Sequence, residues 1–203
     1  MRLRHVIMLA MVLMLLAVGM GAFLTVRRGF SAHDQPTAVE RTIANLARRL
    51  AVPARAKALK NPLPETTEAL AEGRRHWADH CALCHANNGS GDTEIGENLY
   101  PKPPDMRQQE TQDLSDGELY YWIQNGIRLT GMPAWGSPDD DNNEESWKLV
   151  LFIRHLPKLT HEEEKEMERY NPKSAAARAE EEEIEEFLRG GNPPASNTQH
   201  QQH

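Results

Sequence analysis

Two thiols and an imidazole stand together at Cys81-Ala82-Leu83-Cys84-His85, and Cys81 and Cys84 are the only cysteines in 203 residues. Two thiols one helical turn apart can each add to a vinyl group of one flat macrocycle. The imidazole that follows at once then falls beneath the metal at its centre. C-x-x-C-H is accordingly the attachment pattern of c-type haem, with His85 as the proximal iron ligand. Two other chemistries use paired thiols. A closed zinc site needs four ligands, usually with a second Cys or His pair at similar spacing, and none follows here. A dithiol redox pair expects a strand–helix–strand setting, whereas these flanks read as helix and loop.

An iron with one axial imidazole needs a sixth ligand or leaves an open site, and a Met thioether in that place raises the reduction potential. Three methionines lie beyond the N-terminal apolar run: Met106, Met132 and Met167. Met167 belongs to the charged stretch from Glu162 to Arg169 and reads as a packing residue. Met106 ends a Pro-rich loop and is the rival candidate. Met132 lies in Thr130-Gly131-Met132-Pro133-Ala134-Trp135-Gly136. Gly131 and Pro133 fix its local backbone, which suits a side chain that must point at a metal. Met132 is therefore the candidate sixth ligand. His76 with His80, and His155 with His161, read as exposed polar residues. His200 and His203 read as incidental to the tail.

Several helices must position these groups. Residues 68–84 place Leu70, Trp77, Cys81 and Cys84 near one helical face. Ser115 with Glu118 forms a capping box. Leu119, Trp122 and Ile123 follow at helical spacing, and Gly126 supplies the stop. Trp147, Val150, Leu151 and Arg154, ended by Pro157, make a third helix. No stretch alternates in the manner of a strand. Three helices with long loops enclose a thin core, which a large apolar macrocycle can complete.

From about Leu63 to Leu159 the chain resembles a class I cytochrome c of the bacterial monohaem type. Gly73, Trp77, Cys81, Cys84 and His85 match that family's first helix, where a Gly and an aromatic precede the haem motif. Residues 114–126 resemble its middle helix with a glycine exit, Gly131-Met132-Pro133-Ala134 its distal-ligand loop, and Trp147 to Leu156 its last helix. The resemblance implies that the last helix crosses the first with Phe152 resting on Gly73. It further implies an all-α cytochrome c fold around one covalently attached haem c, with iron held by His85 and Met132. The Pro-rich loop Tyr100-Pro101-Lys102-Pro103-Pro104-Asp105 departs from the family's shortest patterns. One of its prolines is a candidate to offer a carbonyl to the proximal imidazole.

Val6 to Val26 is a run of 21 residues without charge, long enough to span a bilayer. A cleaved signal peptide is the alternative, but its apolar region is normally shorter and Gly29-Phe30-Ser31-Ala32 is a poor cleavage site. An uncleaved transmembrane helix over 1–28 is expected. Arg2 and Arg4 precede the span and Arg27 and Arg28 follow it, so positive charge does not orient it. The family resemblance does, since c-type haem is attached on the periplasmic side in bacteria. The expected location is the bacterial inner membrane, single-pass, with the haem domain in the periplasm.

Charge is uneven along the chain. Residues 1–60 hold ten Lys and Arg against two Asp and Glu, whereas residues 61–156 hold seven against seventeen. An acidic globular part does not suit nucleic acid. Residues 29–62 read as a basic helix and a linker marked by Pro53, Pro62 and Pro64. In that helix Val39, Ile43, Leu46, Ala47 and Leu50 form an apolar stripe, with Arg41, Arg48 and Arg49 off it. The stripe suits either anionic lipid headgroups or packing on the haem domain. Residues 160–203 read as a C-terminal helical extension. Thr160 caps one helix, Ala175 to Leu188 forms a second and very acidic one, and the tail is expected to be disordered. The acidic face is either simply solvated or a docking surface for a basic redox partner.

The function expected is that of a single-electron carrier in a respiratory chain, serving redox partner proteins and binding no small-molecule substrate. Two alternatives are a haem-bearing electron-entry subunit of a larger membrane dehydrogenase or oxidase, and a haem-based ligand sensor.

Overall fold

The computed structural model describes residues 2–137, 140–173 and 175–190. In chain order the α-helices are α1 (Arg2–Arg28), α2 (Ala38–Ala51), α3 (Ala54–Ala58), α4 (Thr67–His76), α5 (Ala82–His85), α6 (Glu94–Glu97), α7 (Gln109–Gln112), α8 (Asp116–Asn125), α9 (Glu144–His155), α10 (His161–Met167) and α11 (Ala175–Leu188). No strand occurs among the described residues.

α1 is the one described helix long and apolar enough to cross a membrane. It covers Leu3–Arg28 with a mean hydropathy of 2.6, and none of that stretch is buried. At 1.5 Å per residue its 27 residues extend about 40 Å. Gly29 ends it at φ 83, a left-handed conformation that glycine adopts without strain.

α4 and α9 form the heart of the domain and cross at Gly73. A Cβ there would lie 2.3 Å from the Lys148 carbonyl oxygen and 3.3 Å from the Phe152 Cβ. Phe152 does rest on Gly73, as the resemblance implied, but the closest neighbour is the α9 backbone itself. Around this crossing lie Trp77, Trp147, Leu149, Val150, Phe152, Ile153 and Leu156, each at most 2 % exposed. Backbone contacts cannot be relieved by a side-chain rotation. Gly73→Ala should therefore force the two helices apart and cost about 1–3 kcal/mol or more. A thermal melt reads this directly, and an unchanged midpoint would contradict the close crossing.

α8 begins as its sequence requires. The Ser115 hydroxyl accepts from the Glu118 N–H and the Glu118 carboxylate accepts from the Ser115 N–H, closing the capping box. Gly126 ends the helix at φ 63. Arg154 of α9 ties the same region down, donating to Asp116 Oδ1 at 3.0 Å and to the Gln112 carbonyl at 2.7 Å.

Two segments depart from the expected outline. Residues 52–59, read as linker, pack on α8. Val52 and Ala56 are buried, and the Ala56 carbonyl lies so close to Gly117 that a Cβ could not fit between them. The first part of the C-terminal extension is likewise integral to the domain. Thr160 caps α10 through a capping box with Glu163. Arg74 of α4 donates to Glu163 at 3.0 Å and to Glu166 at 2.7 Å. Met167 is fully buried in the core, and Asn87 and Asn171 exchange hydrogen bonds. Hydropathy along α10 hides this, because its acidic residues surround one apolar plug. α11 forms as expected. The tail expected to be disordered lies outside the described residues.

Candidate functional site

The helix that carries the thiols does not run as a uniform α-helix. Between α4 and α5, Trp77–Cys81 forms a π-helical turn, a wide turn common at functional sites. Trp77, 2 % exposed, donates from its indole Nε1 to the Ala86 carbonyl at 3.0 Å. Its ring lies 5.6 Å from the His85 ring and 5.6 Å from the Phe152 ring. Trp77 thus braces the segment just after the imidazole, where Ala86 takes φ 61.

Cys81, Cys84, His85 and Met132, the four sites singled out in the sequence, all line one cavity. Its apolar wall includes Leu99, Leu119, Trp122, Ile123, Ile127 and Leu149. The loop carrying Met132 is stitched to the end of α8. Trp135 N–H donates to the Ile123 carbonyl at 3.0 Å and Gly136 N–H to the Gln124 carbonyl at 3.2 Å. Met132 N–H donates to the Thr130 hydroxyl at 3.2 Å. Gly126 makes this closure possible, since a Cβ there would lie 2.6 Å from the Pro133 backbone.

Met106 lines the same cavity, so position alone does not separate it from Met132. Their settings do. Met106 packs against the core cluster, and its backbone is held by Gly89 and Gln112. Met132 sits on a loop outside that cluster. Trp135 lines the cavity but stays 44 % exposed.

The electrostatics suit a neutral donor set. Burial, with a smaller contribution from Cys84, pushes the Cys81 thiol up to about 12. Burial raises the Cys84 thiol too. A dithiol redox pair needs a depressed thiol instead, so that reading fails on the environment as well as the fold. Burial lowers His85 to about 4, which leaves a neutral imidazole able to coordinate iron. No group of three or more His, Cys, Asp or Glu that could hold a metal occurs among the described residues. His76 faces Glu145 at 3.3 Å and His155 faces Glu163 at 3.0 Å, in keeping with ordinary polar roles.

His85 Nδ1 is buried and has no hydrogen-bond partner. The expected proline carbonyl therefore does not reach it. An apolar cavity with two thiols, a neutral imidazole and a thioether on its walls fits a haem attached through both thiols.

Residues 68–153 match the family model described as cytochrome c oxidase, cbb3-type, subunit III. This stretch is a c-type cytochrome domain. No curated protein matches the chain. Among solved structures, a chain of the Kuenenia stuttgartiensis reducing HAO-like protein complex aligns at 22 % identity with a TM-score of 0.41. That alignment covers 47 % of this chain and 46 % of the other, so this chain spans under half of that structure's length. A c-type cytochrome domain implies covalently bound haem c with iron, and Cys81, Cys84, His85 and Met132 all line the cavity.

Sequence reasoning missed one lining residue of note. Arg48, on α2, reaches the cytochrome cavity from outside the matched stretch. Its only sequence signal was a charge lying off an apolar stripe.

Proposed function

We propose that the chain is a membrane-anchored carrier of single electrons in a respiratory chain, with its haem on the periplasmic side. The observation that carries this reading is the meeting of Cys81, Cys84, His85 and Met132 on one apolar cavity. Haem supplies an iron that cycles between ferrous and ferric. The residues do the rest. Cys81 and Cys84 would hold the macrocycle through their sulfurs, and His85 and Met132 would ligate its iron, leaving no position for a substrate. Trp77, Phe152 and Leu149 are buried beside the site and exclude water, which favours the less charged, reduced state.

The N-terminal span keeps this chemistry at the membrane. It is followed by α2, whose Val39, Ile43, Leu46 and Leu50 are all exposed. The stripe therefore does not pack on the cytochrome domain, and a lipid surface is the reading left to it. The redox partners are proteins of the same membrane or the adjoining periplasm.

A membrane span resists extraction by salt or carbonate. Haem stain should stay with the membrane fraction after a carbonate wash and leave only with detergent. Protease added to spheroplasts should remove it. Haem recovered in the soluble periplasmic fraction, on a chain whose N-terminus begins near Ala32 or His33, would mean that the span is a cleaved signal. Haem protected from protease in spheroplasts would reverse the topology.

A further inference from the structure

α2 meets the cytochrome domain through its polar face, and one cation on that face keeps a buried N–H without an acceptor. Asn45 donates to Glu110 at 3.2 Å, and Lys57 Nζ donates to the Arg49 carbonyl at the C-terminal end of α2, at 2.6 Å. Between them Arg48 lies over the Trp122 ring, 5.2 Å from its centroid, and both residues line the haem cavity. Arg48 Nη2 donates to Asn45 Oδ1 at 3.0 Å. The nearest carboxylate, Glu110, stands 3.7 Å from Nη2, beyond a hydrogen bond and half exposed. Arg48 Nε is buried with no partner at all.

A buried N–H of a cation left without an acceptor costs more than an ordinary missing bond. The acceptor that suits a guanidinium edge is a carboxylate, which can take Nε and one Nη together. Haem carries two carboxylates, its propionates, and they are its only anionic side groups. The other cations on the cavity wall are otherwise engaged or more exposed. Lys102 pairs with Glu97, and Arg49 is exposed. Glu110 is close enough to Arg48 to hold the side chain near the cavity without satisfying it.

We propose that Arg48 is the hydrogen-bonded counter-ion of a haem propionate, so that the juxtamembrane helix is a strap closed over the haem by the haem itself. This rests on the reading of the cavity as the haem site. The haem's potential then depends on a residue outside the cytochrome domain proper. The cation lowers the local negative charge and holds the propionate ionised. Without it the ferric state is favoured and the propionate titrates at higher pH.

The test uses the full-length haem protein in detergent, with Arg48→Gln, Arg48→Lys and Arg49→Gln. Midpoint potential is measured from pH 5 to 9, and amide exchange over residues 38–51 is followed by mass spectrometry. Arg48→Gln should lower the potential, introduce a pH-dependent step absent from the parent, and speed exchange in 38–51 roughly tenfold, as loss of a charge-assisted bond implies. Arg48→Lys should restore the pH-independent potential in large part, and Arg49→Gln should match the parent. Unchanged potential and pH profile in Arg48→Gln overturn the proposal, even if exchange speeds up, because a merely structural contact would do the same. The full effect appearing in Arg49→Gln instead also overturns it. Absence of covalent haem from the parent chain overturns the haem reading itself and the proposal with it.

Discussion

Cys81→Ala/Cys84→Ala should abolish haem staining on denaturing gels completely and leave a chain without a fixed core. The cavity wall draws side chains from α8 and α9 as well as from the loops at 99–106 and 127–135. The two loops are the parts that the remaining core, centred on the α4–α9 crossing, holds least directly. Without the macrocycle that apolar wall faces water, at about 25 cal/mol for each Å² exposed. A domain of this size has only about 5–15 kcal/mol of net stability in total. Far-ultraviolet dichroism should retain much of its helical signal, because α8 and α9 are capped locally. Near-ultraviolet dichroism from Trp77, Trp122 and Trp147 should largely vanish. A sharp, cooperative melt of the haem-free double variant would show that the protein residues suffice.

Met132→Ala should abolish the weak near-infrared charge-transfer band of ferric Met-ligated haem and lower the midpoint potential. The thioether favours the ferrous ion, and each tenfold loss of that preference lowers a one-electron potential by about 59 mV. A drop of at least one such step is expected. The opened position should also admit carbon monoxide in the reduced state. Met106→Ala should keep the band and the potential. Its side chain packs against the core cluster, so it should instead destabilise the fold, by about 2–5 kcal/mol if the space does not collapse. The opposite pattern, with the band lost in Met106→Ala alone, would place the sixth ligand on the Pro-rich loop.

Much of this site was legible because it is written in spacing. Cys81, Cys84 and His85 fall within five residues, and a chemistry that needs two thiols one turn apart leaves few readings. The capping box at Ser115 and the glycine stop at Gly126 are likewise local, and both form as read. Gly73 and Phe152 could be paired only through resemblance, since their meeting depends on two helices crossing. What sequence could not carry was long-range packing of polar helices. Met167 sits among glutamates and is nonetheless fully buried, because α10 presents a single apolar position inward while Arg74 pairs with its carboxylates. Val52 and Ala56 lie beside a proline that signals a linker, yet the short α3 fits against Gly117 where only a glycine lets it approach. The π-helical turn at Trp77–Cys81 left no pattern in the residues.

α2 shows a different limit. Its apolar stripe was visible and suited either lipid headgroups or packing on the haem domain. The structure leaves that stripe exposed and docks the polar face through Asn45 and Arg48. A hydrophobic stripe states that a face will leave water, not what will cover it, and beside a helix long and apolar enough to cross a membrane the bilayer is an available cover.

A spectroelectrochemical titration of the purified full-length protein tests the central claim most directly. One reversible wave, fitted by a single electron per chain, with low-spin spectra in both oxidation states and no response to carbon monoxide, is the result expected of a carrier whose iron is held by His85 and Met132. A high-spin reduced spectrum that binds carbon monoxide would contradict it, because an iron open to ligands belongs to a sensor or a catalyst rather than to a carrier.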